Sequence, residues 1–294
     1  MPTVPTPLGS STVPQSPASR WPSPVSKAAA GFLAVIFPTL CPVCGQEASS
    51  PGWISVCTSC WETLKPWQGA GCARCGLPFA SVHAADSSEA LCGPCRNGTS
   101  DFDLARSYGV YMFPLRELIL EVKFRRRERW GRTLGKLLAS LWPGISSRLL
   151  DGQPLIVPVP LHAARQRERG FNQADLLAHG LRRKLGRGGV QPPQLDSSCL
   201  RRTLPTRPQT GLSHRTRFEN VRGAFAVSHP ERVRGRSVIL IDDVMTTGAT
   251  ISACARALKQ AGASQVLGLT LARATPQFPD AGRPATPVDE PPAG

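Results

Sequence analysis

The stretch Val238–Thr250, VILIDDVMTTGAT, decides the fold. Its first four residues are apolar and predict a buried strand, after which Asp242 and Asp243 follow at the expected strand end. Threonines and Gly248 then lead into a predicted helix, so hydroxyls and free backbone amides meet at a helix N-terminus. Such a terminus cradles an anion. The stretch therefore predicts a strand–loop–helix unit that binds a phosphate group beside two carboxylates.

Strands alternate with helices on both sides of this stretch. The apolar periodicity predicts strands at Ser107–Met112, Leu155–Val159, Gly223–Val227, Ser237–Ile241 and Gln265–Leu271, and helices at Leu115–Phe124, Gly131–Leu141, Gln173–Leu185 and Thr250–Ala261. This alternation predicts an α/β fold, a mostly parallel sheet flanked by helices. Ligands of such sheets bind where the strands end, so the segments after Val159 and Ile241 are the candidate site.

The turn after Val159 is rich in arginine and reads PVPLHAARQRERGFNQA. Arg165, Arg167 and Arg169 present forked donors that suit phosphate oxygens. An arginine-rich loop is more often simply solvated, and only the acidic pair on the neighbouring strand favours the binding interpretation. A second basic segment, Leu200–Ala224, is too long for a plain connection, and loops of that length tend to be functional or mobile.

Eight of the ten cysteines form four CxxC pairs in the first hundred residues. The pairs are Cys41 with Cys44, Cys57 with Cys60, Cys72 with Cys75, and Cys92 with Cys95. Two intervening residues let both thiolates face one tetrahedral metal, and the spacing between pairs suits four-cysteine zinc sites. Disulfides would require an oxidising compartment, and redox motifs rarely occur four at a time. We therefore predict two structural zinc ions, with sequential and interleaved pairing both open.

We assign no chemistry to the two remaining cysteines, and we predict that Trp53, Trp61 and Trp67 fill the small core of the cysteine-rich part. Cys254 lies among apolar residues of a helix and is predicted to be core, and Cys199 has no visible partner. A glycine follows two of the CxxC pairs, as CPVCG and CARCG, where it frees the turn so that backbone amides point at sulfur.

The formal net charge is +15, from 35 Lys and Arg against 20 Asp and Glu. Such a charge favours phosphate-bearing partners, although a compositional bias with solvated charges explains it equally well. The apolar run Ala28–Leu40 is too short to span a bilayer and lacks a convincing cleavage site, so it predicts a short helix beside the first metal site. We predict no membrane insertion and a cytoplasmic protein.

Composition divides the chain into four parts. Proline and serine crowd residues 1–30 and proline returns in 274–294, so both ends are predicted to be disordered tails. The cysteine-rich part spans 31–100, and the alternating strands and helices span 101–273. We predict a double zinc ribbon followed by a phosphate-binding α/β domain.

Together these motifs resemble the ComF family of competence-associated, phosphoribosyltransferase-like proteins. The resemblance covers about residues 32–273. It depends on five motifs: CPVCG, CARCG, VPVPLHAARQRERGFNQA, RRTLPTRPQTGLSHRTRFENVRGAF and VILIDDVMTTGAT. Every position of the last motif fits the signature of type I phosphoribosyltransferases. The resemblance implies a double zinc ribbon ahead of a type I phosphoribosyltransferase fold. It also implies a link to single-stranded DNA during uptake, with a DNA-uptake helicase or another competence protein as partner.

The resemblance further assigns roles to the site residues. Asp242 and Asp243 hold the ribose hydroxyls of phosphoribosyl pyrophosphate, which binds with Mg²⁺. Its 5′-phosphate is surrounded by Thr246, Thr247, Gly248, Ala249 and Thr250. The arginines Arg165, Arg167 and Arg169 approach the pyrophosphate, and the segment from Leu200 takes the place of a hood loop.

The sequence is compatible with two hypotheses of function. In the first, the chain is a phosphoribosyltransferase, although no acceptor site is visible because the chain becomes proline-rich soon after Leu271. In the second, it is a non-catalytic, single-stranded nucleic-acid-binding accessory protein that uses the phosphoribosyl site as a ligand or nucleotide-phosphate sensor. The basic run Lys123–Arg132 with Trp130 suits the second hypothesis, because a stacking aromatic in a cationic groove holds single strands. A core tryptophan on a solvated basic helix is the competing interpretation.

Overall fold

The structure is a computed structural model that describes residues 40–48, 56–79, 89–125, 127–150, 152–189, 191–205 and 214–275. Of the predicted tail 274–294 the structure describes only Ala274 and Thr275, and Ala274 donates its backbone amide to the carbonyl of Met245. The rest of that tail and the whole of the tail 1–30 lie outside these ranges. So does the helix predicted at Ala28–Leu40, except for Leu40, whose backbone forms an isolated bridge with Glu47.

The described strands, in chain order, are β1 (Leu104–Val110), β2 (Leu155–Pro158), β3 (Gln194–Leu195), β4 (Leu200–Arg202), β5 (Phe225–Val227), β6 (Ser237–Met245) and β7 (Gln265–Arg273). Within the described part of the chain, five of them form one parallel sheet in the order β1, β7, β6, β2, β3. β4 and β5 form a separate antiparallel hairpin. The acidic strand β6 therefore occupies the centre of the sheet, with a neighbour on each side.

The helices in the described ranges are α1 (Thr58–Glu62), α2 (Gly93–Arg96), α3 (Leu115–Phe124), α4 (Glu128–Gly135), α5 (Trp142–Ser146), α6 (Ala163–Arg169), α7 (Gln173–Arg187), α8 (His214–Asn220) and α9 (Ala249–Gln260). A 3₁₀ segment, Lys136–Leu141, joins α4 to α5. In the part of the chain that the structure covers, no helix is long and apolar enough to cross a membrane.

Helices cover both faces of the sheet. Ile239 and Ile241 of β6 pack in one buried cluster with residues of α3, α4 and α7. Val238 and Leu240 pack in the other cluster with residues of α9 and of the β4–β5 hairpin. Because side chains alternate along a strand, β6 contributes to both halves of the core. The predicted α/β fold, with a parallel sheet flanked by helices, is confirmed.

The main differences from the predicted elements lie at the strand ends. β6 was predicted to stop at Ile241 but continues to Met245, because β7 also continues and pairs with it as far as Arg273. Asp242 and Asp243 are thus residues of the strand rather than of the loop after it. The arginine-rich turn after Val159 folds into the short helix α6 instead of remaining a loop.

Candidate functional site

The two acidic residues of β6 project to opposite faces of the sheet. Asp243 is buried on the face of α3 and α7, where its carboxylate meets Lys123. Asp242 faces α9, where its charge acts on Cys254 and on Arg202 of the β4–β5 hairpin. This division follows from the continuation of β6, since successive strand residues point in opposite directions. The two carboxylates therefore have different surroundings.

Lys123 is the partner of Asp243. Its Nζ, at the last turn of α3, lies 2.9 Å from Asp243 Oδ2, and the side chains are 20% and 9% exposed. Burial alone would lower the pKa of Lys123, but the negative charge of Asp243 outweighs burial and the pKa is raised. Lys123 is therefore held charged, and it neutralises the buried carboxylate.

Asp242 is the acid whose ionisation is costly. Burial and then the charge of Asp243 raise the pKa of Asp242 to about 7, although Lys123 and Arg202 oppose the rise. Its Oδ1 accepts a 2.9 Å hydrogen bond from the backbone amide of Asp243. The site thus combines one carboxyl group that is paired with a lysine and another whose pKa is raised to about 7.

The loop between β6 and α9, predicted to bind an anion, turns at Gly248 into the N-terminus of α9. Gly248 has φ +83°, and a Cβ built there would lie 2.7 Å from Met245 Cε, so only glycine fits this turn without strain. Thr247 Oγ1 accepts a hydrogen bond from the amide of Ala249, the first residue of α9. Thr246 and Thr250 flank the same turn at the helix N-terminus.

The three arginines predicted to face pyrophosphate separate on α6. Arg165 and Arg169 are half-buried and share a face because they are four residues apart, whereas Arg167 is exposed. The positive charge of Arg165 acts on Arg202, and Arg169 donates to Gln173 Oε1 at 2.7 Å and lies over the ring of Phe124. Of the three arginines, Arg165 is therefore the one whose charge acts on Arg202, the same residue on which the charge of Asp242 acts.

The cysteines form two clusters with sequential pairing, which resolves the alternative left open by the sequence. In each cluster the sulfur atoms lie within 4.8 Å of one another, and the ligand sets are Cys41, Cys44, Cys57, Cys60 and Cys72, Cys75, Cys92, Cys95. Four thiols at such distances fit a tetrahedral zinc ion with no open position, so both sites suit structural zinc. The prediction of two structural zinc ions agrees with this geometry.

Backbone amides point at the sulfur atoms, but they are not those of the glycines. Cys41 Sγ accepts from the amide of Cys57 at 3.4 Å, and Cys72 Sγ accepts from the amides of Cys75 and Cys92. Gly76, like Gly45, has a positive φ, and its amide instead donates to the carbonyl of the first cysteine of its pair. The glycines therefore shape the turns, whereas cysteine amides stabilise the thiolates.

In the basic run Lys123–Arg132, the tryptophan that was a candidate for stacking on a single strand is buried. Trp130 is only 3% exposed and packs in the core with α7, so its ring is not available to a base. Arg125 and Arg127 form ion pairs with the buried Glu121. The competing interpretation, a core tryptophan on a basic helix, is confirmed. The lone cysteines Cys199 and Cys254 are also fully buried.

Sequence reasoning missed three site residues. In the sequence, Lys123 belongs to the basic run and Arg202 to the hood-like loop, and Arg273 follows the predicted end of the last strand at Leu271. Arg273 is 4% exposed, and its Nη2 donates to Cys75 Sγ at 3.7 Å, which joins the end of β7 to the second cysteine cluster. No local sequence signal marks these residues, because each partner is distant in the chain.

The fold and the site define a phosphoribosyltransferase-like protein with an N-terminal double zinc ribbon. Family models match both parts: a double zinc ribbon domain over residues 32–96 and a phosphoribosyl transferase domain over residues 189–280. The chain belongs to the ComF family, in agreement with the resemblance seen in its motifs.

Three relatives illustrate the family. The DNA utilization protein YhgH of Escherichia coli K12 is 35% identical over 78% of this chain and 94% of its own length. Competence protein F of Haemophilus influenzae is 34% identical over 74% of this chain and 90% of its own. Competence protein ComFC of Bacillus subtilis is 31% identical over 74% and 84%. Among solved structures, a glutamine phosphoribosylpyrophosphate amidotransferase from B. subtilis is 19% identical, over 47% of this chain and 25% of that one. The TM-score is 0.29, so this likeness does not bear on function.

Proposed function

We propose that this chain binds phosphoribosyl pyrophosphate together with Mg²⁺ at the carboxyl end of β6. The proposal rests on one observation. The acidic pair of β6, the loop at Gly248 and the N-terminus of α9 follow directly one after another along the chain. Carboxylates accept hydrogen bonds from vicinal ribose hydroxyls, and the loop amides and threonines offer donors to a 5′-phosphate. A ribose 5-phosphate bridges these two sets of groups because they follow one another along the chain.

In this proposal each charged neighbour has a separate role. Asp242 and Asp243 hold the ribose, and Thr246, Thr247, Gly248, Ala249 and Thr250 surround the 5′-phosphate. Arg165 and Arg202, which approach from α6 and the β4–β5 hairpin, face the pyrophosphate, with Arg167 and Arg169 at the edge of that surface. Bound Mg²⁺ would neutralise part of the pyrophosphate charge. Lys123 keeps Asp243 in place.

The same proposal keeps the predicted division into a double zinc ribbon at 31–100 and a phosphoribosyltransferase-like domain at 101–273. The names of the relatives, which refer to DNA utilization and competence, support a cellular role in the handling of DNA. Single-stranded DNA and a DNA-uptake helicase or another competence protein are the partners that this role implies, in the cytoplasm. The net charge of +15 is compatible with such a partner.

Binding is tested by isothermal titration of the zinc-loaded chain with phosphoribosyl pyrophosphate, with and without Mg²⁺. We expect saturable binding that strengthens with Mg²⁺ and is lost in the double variant Asp242→Asn/Asp243→Asn. The exposed-site variant Glu128→Gln serves as a control, since it removes one carboxylate charge away from the site, against the two that the double variant removes. Equal binding by the double variant and the parent would rule out this site.

Transfer is tested separately from binding by measuring pyrophosphate release with a panel of nucleobases and amines. Release above the level of the double variant identifies a transferase. Binding without release identifies the alternative, an accessory protein that uses the site as a ligand sensor. Affinity for single-stranded DNA, measured against salt concentration, then tests the nucleic-acid role, which requires a steep fall with salt.

A further inference from the structure

Phe124, the last residue of α3, is the most exposed aromatic residue in the part of the chain that the structure describes, at 70%. Four other apolar residues of α3 are buried and pack in the core: Leu115, Leu118, Ile119 and Val122. Phe124 therefore contributes little to the core. A single exposed apolar residue is common in folded proteins, so its exposure alone does not indicate a site.

The guanidinium group of Arg169 lies over the ring of Phe124, with Cζ 6.0 Å from the ring centroid. A cation in this position is attracted to the face of the ring. Arg169 is anchored there, since its Nη1 donates a 2.7 Å hydrogen bond to Oε1 of the buried Gln173. Because Phe124 is still 70% exposed, the arginine covers only part of the ring and leaves the rest open to a ligand.

Two further arginines, at the turn that follows Phe124, are held by one buried carboxylate. Glu121 is 6% exposed, and its oxygens lie 3.2 Å from Arg125 Nε and 3.5 Å from Arg127 Nε. The side chains of both arginines are nevertheless exposed. A guanidinium group has five N–H donors, so an ion pair through Nε leaves outer donors for phosphate oxygens. One glutamate between two arginines also leaves a net positive charge at this turn.

The two segments that meet at Phe124 are strongly basic. Residues 121–129 and 163–169, which come together where Arg169 contacts Phe124, contain eight Lys and Arg against three Glu. Such a surface favours a partner that carries phosphate groups. The exposed ring adds a second preference, because an unpaired nucleobase can stack on it while the cations meet the backbone. The bases of a duplex are already stacked on one another, so a single strand fits better.

An anionic membrane is the competing partner for a basic surface with an exposed apolar residue. Helices that lie on membranes present a whole apolar face to the lipid. The apolar face of α3 is buried in the core instead, and Phe124 is the only exposed large apolar residue of this helix. One phenyl ring offers little area to a bilayer but is enough to stack one base. The surface therefore fits a single strand better than a membrane.

We propose that Phe124 is a stacking platform for single-stranded nucleic acid, with Arg125, Arg127 and Arg169 contacting the phosphates that flank the stacked base. The strand then passes beside the proposed phosphoribosyl site, since Lys123, the neighbour of Phe124, is paired with Asp243. The inference rests on the nucleic-acid role within the proposed function. It does not depend on the binding of phosphoribosyl pyrophosphate.

The experiment measures the fluorescence anisotropy of a labelled oligothymidylate of about 20 nucleotides as the full, zinc-loaded chain is added. Phe124→Ala is expected to weaken binding by about 10-fold, and Phe124→Trp, which keeps an aromatic ring, is expected to bind like the parent. A second oligonucleotide with the same phosphates but abasic sugars separates stacking from charge. On the abasic strand, Phe124→Ala and the parent are expected to bind equally.

Two control variants accompany these measurements. Leu150→Ala removes an equally exposed apolar side chain outside the two basic segments, and it is expected to leave binding unchanged. Arg125→Met is expected to reduce the slope of log affinity against log salt concentration by about 1, because one phosphate contact is lost. Arg183→Met, at an exposed position of α7, is its matched control and keeps the slope of the parent. The melting temperature and zinc content of Phe124→Ala should equal those of the parent.

The outcomes separate this inference from the proposed function. If the parent binds the single strand and Phe124→Ala binds it equally well, the stacking platform is overturned while the nucleic-acid role stands. A loss that is the same on the abasic strand, or that Leu150→Ala shares, overturns the platform as well. If the parent binds no single strand, the platform and the nucleic-acid role both fail, and the titration with phosphoribosyl pyrophosphate still decides the phosphoribosyl site by itself.

Two further measurements identify the partner. Oligouridylate of the same length shows whether the strand is DNA or RNA, and binding of either that depends on Phe124 supports the inference. Vesicles of phosphatidylserine and phosphatidylcholine test the membrane. Binding to these vesicles that Phe124→Ala weakens, without a comparable effect on single strands, overturns the inference in favour of a membrane surface.

Discussion

Lys123 Nζ lies 2.9 Å from Asp243 Oδ2, and this ion pair connects the end of α3 to the central strand of the sheet. The two residues are far apart in the sequence, and each belongs to a motif with a different apparent meaning. Lys123 begins a basic run, whereas Asp243 belongs to the acidic pair. The contact assigns the lysine to the candidate site and removes it from any surface open to nucleic acid.

Replacing Lys123 with methionine is expected to destabilise the protein by about 3 kcal/mol, because Asp243 would keep a buried charge without its partner. The free energy of unfolding, obtained from urea denaturation, is the measurement. The double variant Lys123→Met/Asp243→Asn should recover part of the loss, since it removes the buried charge as well. Lys184→Met, at an exposed position of α7, should change stability little. Equal effects of Lys123→Met and Lys184→Met would contradict the ion pair.

The raised pKa of Asp242 predicts a specific dependence of stability on pH. Its pKa is about 7 in the folded protein against 3.8 for the ordinary carboxyl, so between these values the folded state binds more protons than the unfolded state. The contribution of Asp242 to stability therefore falls as pH rises from about 4 to about 7 and is constant above that range. Asp242→Asn should lack this fall.

The measurement for Asp242 is the difference in unfolding free energy between Asp242→Asn and the parent at several pH values. As pH rises towards 7, the unfolding free energy of the variant should increase relative to that of the parent. Glu128→Gln, at an exposed carboxyl, should give a flat difference over the same range. A flat profile for Asp242→Asn would show that the carboxyl titrates normally.

The two cysteine clusters predict two zinc ions per chain, which elemental analysis of the purified protein measures. Cys60→Ser breaks the first ligand set and should leave one ion, because the second cluster has its own four ligands. Cys199→Ser should keep both ions, since Cys199 is buried outside either cluster. Loss of zinc from Cys199→Ser would contradict this assignment.

Gly248→Ala is expected to destabilise the protein by roughly 1–3 kcal/mol, since its φ of +83° is strained for alanine and the new methyl group would meet Met245. The same change should weaken binding of phosphoribosyl pyrophosphate, because the loop amides would move. Gly144→Ala is the matched control. Gly144 lies in α5 with open space around it, so alanine there should be neutral or slightly stabilising. Thermal denaturation and calorimetric titration of both variants provide the comparison.

Much of the fold could be predicted from local sequence patterns. The helices Leu115–Phe124 and Gln173–Arg187 follow from apolar spacing, and the strand before the acidic pair follows from its apolar run. Strand ends were less predictable because pairing decides them. β6 reaches Met245 only because β7 continues beside it, and that continuation turns Asp242 and Asp243 to opposite faces.

By itself, the sequence determined the CxxC pairs, the acidic pair and the glycine turn, because each depends on residues that are adjacent or nearly adjacent in the chain. Tertiary structure alone decided which cysteine pairs share a cluster, that Lys123 neutralises Asp243, and that Arg273 reaches Cys75. These contacts join distant segments, and they form because parallel strand order and core packing bring those segments together. The phosphoribosyl motif can therefore be identified from the sequence, whereas the charged residues that surround it can be identified only from the fold.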